Sequence, residues 1–370
     1  MQNLYVKKIS DAFAHAIESE FDRYDREIYI KKRFMEAKTI CFWGTGEHFN
    51  KCYKLPGFDF DYVCDNDSSK WGKTFKGKRC ISIEELKALQ DPIVLVMVAD
   101  YFPIQKQLNE LKIENYNFDD IYTNAYDSKY NKKWFQDNLD KALYVVSIFE
   151  DEVSREIYTE AVCNRIAPHL ATKIFNQLKS SGEYFGHGLF DFGPHEVMVD
   201  AGAYDGDTIL KFIEIVNGSF DKVYAFEIEK DNFNKMCQRL AVYNQDGRIQ
   251  FINKGVWSHK ATLKFAGKGI APHISDNAQN EIDVVSIDEV VQGNRVTFIK
   301  MDVEGSELPA LEGASEIIKN QSPKLAISAY HYLSDLWNVP LKIKEFNPKY
   351  KIYLRHHTAN VGDTDCYACI

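Results

Sequence analysis

The sequence is short of long apolar runs. Its longest, Ile93 to Ala99, is about the length of one strand, far below the roughly 20 residues of a membrane-spanning helix. The opening segment MQNLYVKKISDAF carries charges where a secretory leader would hold its apolar region. Positive charge is also in deficit, with 45 Lys and Arg against 54 Asp and Glu and a net charge of −9. That balance argues against a nucleic-acid binder that works by neutralising phosphates. Paired zinc ligands are missing too. Cys366 and Cys369 form one C-x-x-C, but no second pair stands at zinc-site spacing. The other six cysteines are scattered, several inside apolar runs, which fits reduced, buried thiols and a cytoplasmic protein. No short-period repeat or low-complexity segment stands out. What remains is an ordinary globular composition, 45% hydrophobic and 27% charged over 370 residues, long enough for two domains.

Residues 5–35 have a helical period, with Val6, Ile9, Phe13, Ile17 and Phe21 three and four apart. A strand over 39–43 then runs into Gly44-Thr45-Gly46. Further strand-length apolar runs lie at 60–64 and 93–98, and a helical stretch at 104–111. Strands alternating with helices imply a parallel sheet covered on both faces. The expected architecture is α/β, with an N-terminal helix in 1–37, a small Rossmann-like domain over 38–125 and a helical bridge over 126–190. A second α/β unit over 191–370 has strands at 197–201, 222–227, 249–253, 297–301 and 324–329. The segment 350–354 and the chain end are further candidates.

The first glycine turn, Gly44 and Gly46 with Asp65 some 21 residues after Gly44, resembles a dinucleotide fingerprint, in which the acid holds ribose hydroxyls. A nucleotide or nucleotide-sugar is the candidate ligand there. Two features weaken it. Phe49 stands where the third glycine belongs, and no Tyr-x-x-x-Lys occurs in the first 150 residues. A turn that binds nothing is the plain alternative.

The second turn, VMVDAGAYDGDT over 197–208, is unusual in its charge. Asp200, Asp205 and Asp207 surround Gly202 and Gly206, and several carboxylates would repel a pyrophosphate. The next strand ends in Glu227, placed to accept both hydroxyls of a ribose. A ligand with a ribose, a cationic end and no phosphate fits, and S-adenosylmethionine is such a ligand. A third segment, Phe298-Ile-Lys-Met-Asp302-Val-Glu304-Gly305-Ser-Glu307, is a buried strand whose acidic end faces the crevice of an open sheet. Glu307 also reads as a helix-start acid.

The segments VDAGAYDGDT, AFEIEKDNFNKM, NKGVWS and IKMDVEGSELPALEGA resemble, in order, the FkbM family of S-adenosylmethionine-dependent methyltransferases. So does the stretch beginning PKLAISAYHYL, and the likeness spans about 184–360. It implies a seven-stranded class I methyltransferase fold and O-methylation, usually of sugars or natural-product hydroxyls. By position, Asp200, Gly202, Ala203, Tyr204, Gly206, Asp207 and Thr208 would line the cofactor. Glu227 and Ile228 would meet the ribose end, Val256 the adenine, and Asp302 the methionine end or the acceptor. Tyr204 replaces the middle glycine of the wider methyltransferase pattern.

Methyl transfer to oxygen needs the acceptor positioned and its proton removed. His331, Asp302 and Glu304 are the candidate catalytic residues, His331 as a base near neutrality. His331, Arg355 and His356, with His357 beside them, are candidates for binding a small-molecule or glycan acceptor, an anionic one included. Asp302 with Glu304 could also hold a divalent metal. On this reading the N-terminal domain recruits the acceptor or forms a homodimer contact. The competing functions are a nucleotide-sugar oxidoreductase or epimerase run by the first domain, and a non-catalytic binding module.

Overall fold

A computed structural model of the chain describes residues 2–18, 23–98, 100–118, 130–167, 170–185, 188–266, 273–274 and 280–370. The helical period at the start belongs to two helices, α1 (Gln2–Glu18) and α2 (Arg23–Glu36). They serve different cores. Ile9, Phe13 and Ala16 of α1 pack with Phe135, Tyr158 and Trp337, whereas Ile30 and Phe34 of α2 pack with Phe42 and Phe60.

The first sheet contains β1 (Thr39–Trp43), β2 (Tyr62–Cys64), β3 (Thr74–Phe75), β4 (Lys78–Ile81), β5 (Pro92–Val96) and β6 (Glu114–Asn117). Their spatial order is β3-β4-β2-β1-β5-β6, parallel except for β3 against β4. Helices α3 (Glu47–Cys52), α4 (Ile83–Lys87) and α5 (Phe102–Glu110) connect the strands. The unbroken apolar run of β5 follows from burial on both faces. Ile93 and Leu95 enter one core, and Val94 and Val96 the other.

Three helices follow: α6 (Lys132–Val145), α7 (Glu152–Ile166) and α8 (Phe175–Leu178). Asn131 and Asp151 cap α6 and α7 by accepting from the third residue on. α1 packs against α6 and α7. These helices do not hang between two units. They share one core with the second sheet through Phe149, Tyr158, Trp337 and Ile352.

The second sheet opens with β7 (Val197–Ala201), α9 (Asp207–Ile215), β8 (Lys222–Phe226), α10 (Lys230–Leu240) and β9 (Ile249–Ile252). A separate four-stranded sheet then intervenes, unforeseen in the sequence. It consists of β10 (Gly255–Val256), β11 (Ala261–Ala266), β12 (His273–Ile274) and β13 (Asn280–Val285), in the order β10-β13-β11-β12. After α11 (Ile287–Val291) come β14 (Phe298–Met301), α12 (Glu307–Glu312), α13 (Ser315–Gln321), β15 (Lys324–Ser328) and α14 (Asp335–Phe346). The chain ends with β16 (Lys351–His356) and β17 (Thr364–Cys369). The sheet has the expected seven strands, ordered β16-β17-β15-β14-β7-β8-β9. β17 runs antiparallel between β16 and β15, and the remaining pairs are parallel. Chain order reverses between β7 and β14, so the crevice outside their carboxyl ends is where such a sheet binds ligands.

All eight cysteines are free. Cys366 and Cys369 lie three apart on β17, so their side chains leave opposite faces of the strand. Among the described residues, no helix is long and apolar enough to cross a membrane.

One ion pair joins the two central strands. Asp200 of β7 is the register partner of Lys300 of β14, and both are buried. The Lys300 ammonium lies 3.2 Å from Asp200 Oδ1 and donates to the Gly202 carbonyl at 2.6 Å. Burial alone would discharge Lys300, but Asp200 and then Asp302 hold its pKa above the ordinary range. Replacing Lys300 by Met strands a buried carboxylate, and we expect a loss of about 3–5 kcal/mol in urea denaturation. The double variant Asp200→Leu/Lys300→Met should recover most of it, because two well-packed apolar groups need no charge partner. A single variant as stable as the parent would show that the pair does not hold the strands.

Candidate functional site

The glycine turn after β7 passes under the end of β14. Gly202 has a φ of +82°, and a Cβ there would sit 1.8 Å from the Asp302 carbonyl oxygen. Only glycine allows that approach. The Gly202 and Ala203 amides donate to the Phe226 carbonyl at 3.0 and 2.8 Å, tying the turn to the tip of β8. Tyr204 follows at φ +47°, a left-handed conformation that is uncommon for a bulky residue. Its amide donates to Glu227 Oε2 at 2.8 Å.

The three acids of the turn have three different fates. Asp200 is fully buried against Lys300 and does not reach the cavity, so the expected cofactor contact is replaced by a structural one. Asp205 is paired with Arg239 at 2.5 Å. Asp207 opens α9 and accepts from the Thr208 amide at 2.7 Å, and both residues line the cavity.

That cavity has a volume of about 470 Å³, within the range of small-molecule sites. Gly202, Tyr204, Asp207, Thr208, Glu227 and Ile228 line it on the β7–β8 side, joined by Val256, Asp302 and Glu304. Ala203 and Gly206 shape the turn without lining it. Glu227 is held from below, accepting from the Tyr204 amide and, at 2.7 Å, from the Glu229 amide. Burial, opposed by those two N–H groups, pushes its carboxyl up to about 7. Five carboxylates line the cavity against three lysines, one of which is Lys300, already paired.

The opposite wall is the acidic end of β14. Asp302 Oδ2 accepts from the Tyr184 hydroxyl at 2.8 Å, and Oδ1 from the Tyr330 hydroxyl at 3.3 Å. Glu304 adopts φ +55° and lines the cavity. Backbone held in that region away from glycine is a marker of a constrained site. Behind the two carboxylates lies His331. Its Nε2 is 3.2 Å from Glu304 and 3.5 Å from Asp302, and its Nδ1 is 3.1 Å from Glu307 Oε1. Burial alone would discharge the ring, but Glu307, Glu304 and Asp302 outweigh it and hold the imidazole well above its ordinary pKa. Burial also opposes the ionisation of Asp302, yet His331 and Lys300 keep its pKa below the usual carboxylate value. In Glu304 burial prevails over His331 and the pKa is raised.

Several expected residues stand elsewhere. His331 does not line the cavity, and both its ring nitrogens face carboxylates rather than an acceptor. Arg355 pairs with Asp151 at 2.6 Å and is bonded to Ser154. His356 is buried, with Nδ1 2.8 Å from Thr364 Oγ1, and burial lowers its pKa to about 4. His357 meets the Ser180 carbonyl and the Tyr367 hydroxyl. These three fasten α7 and the segment before β7 to the sheet, and none lines the cavity. The first glycine turn is likewise engaged internally. Asp65 Oδ2 accepts from Thr45 at 2.7 Å and from Lys70 at 2.9 Å, and Oδ1 from the Asp67 amide. The hydroxyl-binding capacity expected of Asp65 is thus taken by its own neighbours, while Gly44 and Gly46 shape the end of β1.

Three residues escaped the sequence reading. Lys300 had a signal, a lone cation inside an apolar strand. Tyr330 had a weaker one, ending the strand after β14. Tyr184 had none, because it reaches Asp302 from an irregular segment 118 residues away.

Residues 200–357 match the family model of the methyltransferase FkbM domain, and residues 35–118 match the model described as C2185-like, N-terminal. The crystal structure of Methyltransferase FkbM from Methylobacillus flagellatus KT is similar over 97% of this chain and 99% of its own, with a TM-score of 0.72 and 24% identity. The fold is therefore shared over both parts of the chain. Aeropyrum pernix fibrillarin in complex with natively bound S-adenosyl-L-methionine is 10% identical, with a TM-score of 0.34 over 50% of this chain and 72% of its own. A SAM dependent methyltransferase from Aquifex aeolicus is 15% identical, with a TM-score of 0.29 over 53% of this chain and 96% of its own. No curated protein matches the sequence.

The close approach at the glycine turn is open to a direct check. Gly202→Ala should lose at least about 1–2 kcal/mol in urea denaturation from left-handed strain alone. The contact with the Asp302 carbonyl adds to this. Gly46→Ala is the control, since a Cβ there meets nothing within 4 Å, and it should stay within about 0.5 kcal/mol of the parent. Equal stability of the two variants would contradict the geometry.

Proposed function

We propose, from the premise that residues 200–357 form a methyltransferase FkbM domain and that the chain is an S-adenosylmethionine-dependent methyltransferase, that it methylates a hydroxyl of a saccharide or glycan precursor. The observation that carries the reading is the Asp302–Glu304 carboxylate pair facing the same cavity as Glu227.

The residues present fit the cofactor. Gly202 leaves backbone where any side chain would collide, and Glu227 offers two carboxylate oxygens already oriented by backbone amides. Ile228 and Val256 supply apolar wall for a flat base, and Asp207 and Thr208 bring the start of α9 to the cavity. The excess of carboxylates favours a ligand carrying a sulfonium and an ammonium over one carrying phosphates. When bound, the cofactor supplies an electrophilic methyl group.

The remaining work is positioning and proton removal. Tyr184 and Tyr330 fix the Asp302 carboxylate from two directions. Asp302 and Glu304 are the proton acceptors within reach of the cavity, and His331 is a positioning residue behind them. Glu183, Lys211 and Lys254 add polar groups to the lining, which suits an acceptor with several hydroxyls. With Arg355 and His356 committed elsewhere, the acid-rich lining favours a neutral acceptor over an anionic one. The acceptor class is tested by incubating the chain with isotopically methyl-labelled cofactor and a panel of free and nucleotide-linked sugars, read by mass spectrometry. Label on a saccharide oxygen is expected, and label on an amine would move the acceptor class.

Asp302→Asn should lower kcat by about 10²–10⁴-fold and leave S-adenosylhomocysteine affinity within a few-fold. Unchanged turnover would remove the carboxylate from the proton path. Glu227 gives a pH test. Its carboxyl titrates near 7, and the ionised form is the one that accepts from both ribose hydroxyls. Protonation on going from pH 8 to pH 6 should therefore weaken S-adenosylhomocysteine binding by about tenfold in calorimetry. The dependence should vanish in Glu227→Gln, and a flat profile in the parent protein would refute the ribose assignment.

A further inference from the structure

We propose that Asp302, Glu304 and His331 bind a divalent cation that opens onto the cavity and holds two neighbouring oxygens of the acceptor. Only the role of the cation rests on the methyl-transfer reading; its binding does not.

The donor geometry comes first. One oxygen of Asp302, one of Glu304 and a ring nitrogen of His331 all lie within 4.8 Å of one another. His331 Nε2 stands 3.5 Å from Asp302 Oδ1 and 3.2 Å from Glu304 Oε2. Adjacent ligands of a cation with bonds of about 2.1 Å are separated by about 3 Å, so little movement is needed. Glu307 is a second and separate observation. It is buried, it faces the other ring nitrogen at 3.1 Å, and its Oε2 accepts no hydrogen bond. A carboxylate on the far nitrogen fixes the ring so that Nε2 is the ligating atom, the usual support of a metal-bound histidine. Carboxyl groups also outnumber basic groups around this ring. Asp302, Glu304, Glu307 and the buried Asp335 surround one imidazole, while Lys300 is committed to Asp200 and the Gly202 carbonyl.

The direction of the opening follows from the lining. Asp302 and Glu304 face the cavity and His331 does not. The ring closes the back of the site and the free coordination positions point at the acceptor, as in catalytic rather than structural metal sites. Two carboxylates and one imidazole suit Mg²⁺ or Mn²⁺, with Mn²⁺ the tighter of the two for the nitrogen ligand. An acceptor bearing two adjacent oxygens, a vicinal diol, can then meet the cation with both. The cation lowers the pKa of the reacting hydroxyl, and its proton passes to the second oxygen of Glu304. The oxygen–carbon bond forms as the sulfur–carbon bond breaks, and that electron pair stays on sulfur as a neutral thioether.

The test uses the full chain with S-adenosylhomocysteine present and Mn²⁺ as the probe, read by the loss of the free-ion electron paramagnetic resonance signal. Saturable binding of one Mn²⁺ per chain is expected. Asp302→Asn and Glu304→Gln should each weaken it at least tenfold, and Glu307→Gln by about 10–100-fold. Retained S-adenosylhomocysteine binding shows in each case that the variant is folded. No saturable Mn²⁺ binding at millimolar concentration, or binding as tight as the parent's in both carboxylate variants, overturns the site. Methyl transfer abolished by chelation and restored by Mg²⁺ or Mn²⁺ supports the role. Full activity in chelator overturns the role and leaves the methyltransferase reading intact. Mn²⁺ binding by a chain that transfers no methyl group to any acceptor supports the site and counts against that reading.

Discussion

The contact between the ends of β7 and β14 governs the rest of the site. The two strands pair directly, and Asp200 and Lys300 lock them with a buried ion pair one register position before the strands end. Lys300 also takes the Gly202 carbonyl, so the glycine turn is pinned to the neighbouring strand rather than left to its own conformation. That pinning brings Gly202 under the Asp302 carbonyl, where no side chain fits. One interaction therefore fixes the cofactor turn and the acidic strand end relative to each other. Removing water from two charges is costly. The cost is tolerated here because it fixes the relative position of a turn and a strand 98 residues apart in sequence.

Charge is distributed around the cavity in layers. Asp200 and Asp205 each have a basic partner and contribute little to the field in the crevice. Asp207, Glu227, Asp302, Glu304 and Glu183 face inward. Glu227, Asp302, Glu304 and Glu183 are buried or half-buried while Asp207 is exposed, and His331 and Lys300 stand behind the Asp302 end. An environment of this kind discriminates by charge before it discriminates by shape. It disfavours phosphates and suits a cationic ligand such as the sulfonium of S-adenosylmethionine.

Much of this was legible in the sequence, and the reasons differ by element. The central strands of both sheets carry their signal locally, because burial on both faces demands unbroken apolar runs, whereas the edge strand Glu114–Asn117 carries none. Gly202, Glu227 and Asp302 were legible because each sits where a strand ends at the crevice. Their chemistry is tied to a position that the strand pattern already marks. Arg355 and His356 end a strand and His331 follows one closely, but a strand has two faces and two ends of contact. The sequence could not say that His331 would turn behind its acids, or that Arg355 would reach back to Asp151, 204 residues earlier. The four-stranded insertion was missed because its longer strands interleave polar with apolar residues, as in Ala261–Ala266, instead of forming unbroken apolar runs. Asp65 shows a related ambiguity. An acid about twenty residues after a glycine turn is equally suited to a ribose and to its own Thr45 and Lys70.

The place of α1 changes how the two parts of the chain should be understood. Its apolar face, Ile9, Phe13 and Ala16, is buried against Phe135, Tyr158 and Trp337 in the core that backs the second sheet. α7 continues that attachment: Ser154 accepts from the Leu354 amide at 2.9 Å, and Asp151 holds Arg355. The segment before β7 adds a third tie, since the Ser180 amide donates to the His356 carbonyl at 2.8 Å and Tyr184 reaches Asp302. The first sheet is thus inserted between α1 and the helices with which α1 packs. A cut before β7 would not release a finished domain. It would strip apolar cover from β16 and α14 and remove a hydroxyl that orients the Asp302 carboxylate. The catalytic half is completed by residues that precede the boundary its motifs suggest, which explains why a family model beginning at Asp200 describes the crevice but not everything that shapes it.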